Sequence, residues 1–158
     1  MTEPVNALAA GATIGILGGG QLGRMLSVAA ARLGYRTHIF EPAANPPAGD
    51  VAHAVATAPY EDHEALASFA RAVDVVTYEF ENVPSSAAMI LAARRPVLPD
   101  QKILQTTQDR LAEKDFVTKL GIGTAKYADV TSAPALRAAV AAIGLPAVLK
   151  TRRFGYDG

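Results

Sequence analysis

The chain has 158 residues, half of them hydrophobic, and fifteen basic side chains balance fifteen acidic ones to leave no formal net charge. That balance offers no electrostatic footing for nucleic acid or an anionic membrane surface. The absence of cysteine excludes disulfides and thiolate zinc sites.

The N-terminus carries Glu3 and Pro4 and has no basic run, so residues 1–12 read as a disordered leader and not as a signal peptide. No apolar stretch reaches the length of a membrane span, and a cytoplasmic protein is expected. Thr13-Ile-Gly-Ile-Leu17 reads as a short buried strand, followed at once by Gly18-Gly-Gly20. Gln21 to Leu33 is predicted as a helix from the spacing of Leu22, Met25, Leu26 and Ala29 or Ala30, with Gly34 as its stop. Arg36 to Phe40 is a second strand, ended by Glu41-Pro42, and Ala43 to Asp50 is loop. A short edge strand is expected over Val51 to Val55 and a helix capped by Asp62 as far as Ala72. Val73 to Tyr78 is a third strong strand, turned by Glu79-Phe-Glu-Asn-Val-Pro84. Ser85 to Ala93 is predicted helical and Pro96 to Leu98 a short strand. Strands alternating with helices imply a doubly wound parallel α/β sheet of the Rossmann-like kind over residues 13–100.

The pattern changes after Pro99-Asp100. A polar helix from Thr107 or Gln108 to Leu120, a strand over Lys126 to Val130, a helix from Ala133 to Ile143 and a strand over Ala147 to Lys150 suggest the start of a second, α+β domain over 101–158.

Gly18-x-Gly20-x-x-Gly23 lies between a strand and a helix, where a tight turn and a helix N-terminus suit a phosphate or a ribose phosphate. Glu41 ends the second strand, where a dinucleotide fold holds a ribose hydroxyl. Glu79 and Glu81 stand at the C-terminal end of the third strand, and strand-like alternation would put them on one face. Glu79, nearer the strand, is the better candidate to accept hydrogen bonds from a substrate amine or hydroxyl. Helical spacing sets Arg110 beside Lys114, two like charges that repel unless an anion or carboxylate sits between them. An apolar run delivers Lys150 to a strand end, and Thr151-Arg-Arg-Phe-Gly-Tyr-Asp-Gly158 follows as a basic, glycine-flanked turn suited to nucleotide phosphates. Tyr156 adds a hydroxyl that can orient a small polar substrate, and Asp157 can hold the loop or touch substrate. His38, His53 and His63 show no metal-ligand spacing. There is no P-loop, nucleophile elbow or paired His–Glu zinc motif.

Four stretches together carry a resemblance: Gly15 to Met25, Thr77 to Pro84, Gln108 to Lys114 and Lys150 to Gly158. In order and spacing they resemble the N-terminal part of the ATP-grasp 5-(carboxyamino)imidazole ribonucleotide synthases. The resemblance implies a homodimeric ligase of purine biosynthesis. It joins bicarbonate to the exocyclic amine of aminoimidazole ribonucleotide through carboxyphosphate, using ATP and magnesium. It implies ATP contacts at Arg110 and Lys150, and an ATP-covering loop that begins over Gly155, Tyr156, Asp157 and Gly158. Gly20, Gln21 and Leu22 match the turn that holds the ribonucleotide, and Glu79 a carboxylate near its ribose and imidazole. Tyr156 matches a tyrosine near the carbon dioxide and amine, so Glu79 and Tyr156 are the residues expected at the chemistry. The family's magnesium ligands match no residue of this chain, which by itself is expected not to turn over ATP.

Gln21, Glu79 and Tyr156 are accordingly expected to converge on one cleft. Three rivals remain: another carboxylating or formyl-transferring ATP-grasp ligase, an inert self-associating fragment, and an NAD-binding Rossmann regulatory module. The last would use Gly18, Gly20, Gly23 and Glu41 but leave Arg110, Lys150 and the tyrosine loop idle.

Overall fold

The computed structural model describes residues 7–154, and the chain divides into two compact units, Met1–Leu104 and Gln105–Gly158. The first unit is built on four parallel strands: β1 (Thr13–Leu17), β2 (Arg36–Phe40), β3 (Ala54–Ala56) and β4 (Val75–Tyr78), in the order β3-β2-β1-β4. Chain order runs outward from β1 to β2 and β3, then returns to place β4 on the other side of β1. The sheet therefore has a switch point between β1 and β4, and in open parallel sheets ligands bind outside the strand C-termini at such a point. Helix α1 (Gln21–Arg32) follows β1, α2 (His63–Arg71) precedes β4, and α3 (Ser85–Ala92) follows it.

Alternation along the strands sorts the side chains into two cores. Ile16 and Ile39 face one way and bury with Ala48 of a single-turn 3-10 helix, Pro47–Asp50. Leu17, Phe40 and Val76 face the other way and join Leu66, Phe69, Val83 and Leu91 in the larger core. Each large side chain fully buried here contributes about 1.5–3 kcal/mol of transfer free energy. Gly15 is what lets α2 come close. A Cβ on it would stand 2.8 Å from Phe69 Cζ and 3.1 Å from Val73 Cγ1. Asp62 caps α2, its Oδ1 accepting from the N–H groups of Glu64 at 3.0 Å and Ala65 at 2.9 Å.

Several expectations are corrected. The edge strand lies at Ala54–Ala56 and not at Val51 to Val55, because the 3-10 turn closes with Val51 N–H on the Ala48 carbonyl at 3.2 Å. The strand expected over Pro96 to Leu98 is one bridge, Val76 to Val97. Pro96 and Pro99 have no N–H to extend it. Of the expected leader, Gly11 donates to the Gly34 carbonyl at 3.0 Å and the Ala12 carbonyl accepts from Arg36 N–H at 3.0 Å.

The polar helix expected from Thr107 or Gln108 to Leu120 is α5 (Arg110–Lys119), and a separate helix, α4 (Gln101–Thr107), occupies the stretch before it. The break comes at Asp109, whose extended backbone (φ −121°, ψ 110°) makes it the cap of α5. In the second unit Ser132 caps α6 (Ala133–Ile143), its Oγ accepting from Ala135 N–H at 3.2 Å, and Gly144 ends that helix. The strands expected over Lys126 to Val130 and Ala147 to Lys150 are not formed among the described residues. A segment becomes a strand only when a neighbour completes its hydrogen bonds, and no such ladder is formed at either segment among those residues. Helix α5 buries no side chain, and Gln108 and Ala139 are the buried residues described in this unit.

Candidate functional site

In the first unit the site is the turn between β1 and α1, at the switch point. Gly18 takes φ +102°, a left-handed conformation that a side chain would strain, and a Cβ there would lie 2.6 Å from Glu79 Oε1. The turn thus has glycine for two reasons, backbone shape and the closeness of a carboxylate. Glu79 leaves β4 with its N–H still on the Leu17 carbonyl at 3.1 Å, and its Oε1 accepts from Gly20 N–H at 3.1 Å. From the other side Glu41 accepts from Gly19 N–H at 2.8 Å and from Ala43 N–H at 3.0 Å. Two carboxylates from two strand ends therefore meet the N–H groups of one glycine turn.

Burial pushes the Glu79 carboxyl above its ordinary range; the Gly20 N–H pulls it back and the nearby Glu41 carboxylate adds to the rise. Tyr60, buried near both carboxylates, is raised first by burial and then by Glu41 and Glu79. With the N–H groups of Gly18, Gly19 and Gly20 already paired within the chain, the turn offers a ligand carboxylate acceptors, which suits hydroxyl or amine groups better than a bare phosphate. Gln21 and Leu22 open α1 from this turn with their side chains exposed. The strand-like alternation expected to align Glu81 with Glu79 does not hold, because β4 ends at Tyr78.

The second unit contains a cavity of about 620 Å³ whose lining includes Arg110, Lys114, Lys126, Lys150 and Arg152. Arg110 and Lys150, expected to meet the same phosphates, share this lining. Neither has a carboxylate within ion-pair distance among the described residues, whereas Arg152 pairs with Asp109 at 2.8 Å and Asp129 at 3.6 Å. Lys114, the cation expected to share an anion with Arg110, lies over the Tyr127 ring, 5.4 Å from its centre. Sequence reasoning missed Asp109 as the partner of Arg152. A pairing across 43 residues has no local trace. Gly155, Tyr156, Asp157 and Gly158 lie outside the described residues, and with Tyr156 the expected convergence on Gln21 and Glu79.

Residues 11–108 match the ribonucleotide synthetase preATP-grasp domain and residues 115–158 the ATP-grasp domain. The chain belongs to the ribonucleotide synthetase preATP-grasp family. It is 53% identical over 152 residues to an N5-carboxyaminoimidazole ribonucleotide synthase of Brucella melitensis, covering 96% of this chain and 42% of that protein. The N5-carboxyaminoimidazole synthetase of Staphylococcus aureus, solved with ADP, superposes with a TM-score of 0.93 at 36% identity, covering 97% of this chain and 41% of that one. The N5-carboxyaminoimidazole synthase of Aspergillus clavatus, solved with ADP and 5-aminoimidazole ribonucleotide, gives 0.80 at 30%, covering 87% and 37%. The chain thus spans less than half the length of these relatives.

Membership of the preATP-grasp family agrees with the parallel α/β sheet followed by the start of an ATP-grasp domain. The dinucleotide module is not favoured. Glu41, which that reading needs for a ribose, has each oxygen on a backbone N–H of its own chain. No helix among the described residues is long and apolar enough to cross a membrane.

Proposed function

We propose that this chain is the pre-ATP-grasp region and the opening of the ATP-grasp domain of an enzyme that ligates bicarbonate to 5-aminoimidazole ribonucleotide with ATP. The product is the N5-carboxyamino ribonucleotide of purine biosynthesis. The observation that carries this reading is Glu79 seated on the Gly18–Gly20 turn at the switch point, its carboxyl accepting from Gly20 N–H. There it can take a hydrogen bond from a ribose hydroxyl or the imidazole amine, with Gln21 and Leu22 beside it. Relatives solved with ADP, and one with ADP and the ribonucleotide, support the same assignment.

In this reading bicarbonate attacks the γ-phosphate of ATP and displaces ADP, carboxyphosphate breaks down to carbon dioxide and phosphate, and the amine attacks the carbon dioxide and loses a proton to give the carboxyamino group. Arg110 and Lys150 supply fixed positive charge for the phosphates. Gly155 to Gly158 begin a covering loop that excludes water from the labile intermediate, and Tyr156 positions the amine. Magnesium would neutralise phosphate charge when bound. The described residues hold no group of three acid or imidazole side chains that fits it, so none is assigned to the ion. The domain division proposed is the pre-ATP-grasp unit over 13–100 and the ATP-grasp opening over 101–158. A homodimeric, cytoplasmic enzyme belongs to the same reading.

Calorimetric titration of aminoimidazole ribonucleotide into this chain is the test, with NADH titrated in parallel. Saturable binding that Glu79→Gln weakens by about tenfold or more is expected, because a charge-assisted hydrogen bond is lost. NADH binding without ribonucleotide binding would reverse the assignment.

A further inference from the structure

Arg152 stands apart from the other cations around the second unit's cavity. Its Nε and Nη2 donate to the two oxygens of Asp109 at 3.2 and 2.8 Å, a two-point fork. Its backbone carbonyl accepts from Arg110 N–H at 2.9 Å. The next residue repeats the attachment, with Arg153 Nη2 donating to Gln108 Oε1 at 2.8 Å. Asp109 is itself fixed, since its Oδ1 also accepts from Leu111 N–H at 3.0 Å and Ala112 N–H at 3.2 Å. The segment at 152–153 is therefore fastened by side chain and backbone to the first turn of α5. The fastening adjoins both candidate phosphate contacts: Arg110 follows Asp109 directly, and Lys150 lies two residues before Arg152.

We propose that Arg152 is a positioning residue for nucleotide binding, its fork on Asp109 holding the Lys150 segment against the start of α5 so that Arg110 and Lys150 meet one polyphosphate together. This rests on the reading of those two residues as phosphate contacts. Arg152 is not itself a phosphate ligand, because its fork is filled by Asp109 and its remaining Nη1 lies 3.6 Å from Asp129. Guanidinium geometry is required: a lysine keeps the charge but cannot make two parallel bonds to one carboxylate. The pair is half exposed on the arginine side, and exposed ion pairs add little to global stability. Its loss should appear in nucleotide affinity and not in the melting temperature. An ordered pair of cations binds a polyphosphate without first losing loop entropy, which is the advantage such a fastening confers.

The experiment titrates a non-hydrolysable ATP analogue into this chain and into Arg152→Gln, Arg152→Lys, Asp109→Asn and the double variant Asp109→Asn/Arg152→Gln. Amide hydrogen exchange of 110 and of 148–154 is followed without nucleotide. Asparagine keeps the helix cap, so Asp109→Asn removes the charge partner alone. Both single variants and the double are expected to weaken binding by the same factor, about tenfold, because each breaks one interaction. Arg152→Lys should recover only part of it, and exchange at the Arg110 amide should accelerate in Arg152→Gln. Unchanged affinity in Arg152→Gln, or losses that multiply in the double variant, would overturn the positioning role while leaving the phosphate reading intact. A wild-type chain that fails to bind the analogue, with exchange still responding to Arg152→Gln, would overturn both and leave the fastening as local structure.

Discussion

Glu79 concentrates the residue-scale chemistry of the first unit. Its carboxyl is raised mainly because burial disfavours the charged form. A native pKa above the unfolded one means the folded chain holds a proton that the unfolded chain has released. Stability then falls as pH rises from the ordinary value of 4.5 through the raised value, and levels off above it. Glu79→Gln removes this dependence. Denaturant unfolding of both proteins across mildly acidic pH should show the stability of wild type minus variant declining through that window and flat beyond it. A difference that grows with pH would mean that the carboxylate is held in its charged form, with the Gly20 N–H outweighing burial. The residue types were legible in sequence, since a carboxylate at a strand end after a glycine turn is a recognisable pairing. That Glu41 would also close on the turn, through Gly19 N–H, was not, because it depends on how the loop after β2 folds back.

At the scale of elements, the contact that sets the larger core is β1 against α2. Gly15 contributes by having no side chain beneath Phe69, whose ring also meets Phe40 at 5.3 Å and His38 at 4.9 Å. Gly15→Ala forces strand and helix apart, and a loss of about 1–3 kcal/mol is expected from overpacking. Thermal unfolding checks it, with ribonucleotide binding retained at temperatures where the variant is folded. Elements with their own signals were readable from sequence: β1, β2 and β4 from apolar runs, and α2 from Asp62 as its cap. The strands expected over Lys126 to Val130 and Ala147 to Lys150 were not readable in this way. Helix hydrogen bonds close within the segment, while strand hydrogen bonds need a neighbour that sequence alone does not supply.

Across the whole molecule the two units differ in what holds them. Nearly every buried hydrophobic side chain described belongs to the first, in two cores on either face of its sheet. The second is fastened by caps, by the Arg152–Asp109 fork and by Tyr127, whose hydroxyl donates to Asp115 at 2.7 Å, while Leu145, Val148 and Leu149 remain exposed. Little buried apolar area means low resistance to local opening. Hydrogen exchange should therefore protect β1, β2 and β4 up to the global unfolding free energy, with α5 and α6 exchanging by easier, sub-global openings. Equal protection in both units would contradict this division of stability.

The sequence by itself determined the alternation of strand and helix, the glycine turn with its neighbouring carboxylate, and the cations at Arg110 and Lys150. These follow from local propensity, periodicity and turn chemistry, which act over a few residues. Tertiary structure decided that β4 returns beside β1, that Glu41 and Glu79 share one turn, and that Asp109 takes Arg152 as its partner. Those outcomes join residues far apart in the chain, and they depend on closing long loops so that distant donors and acceptors come into register.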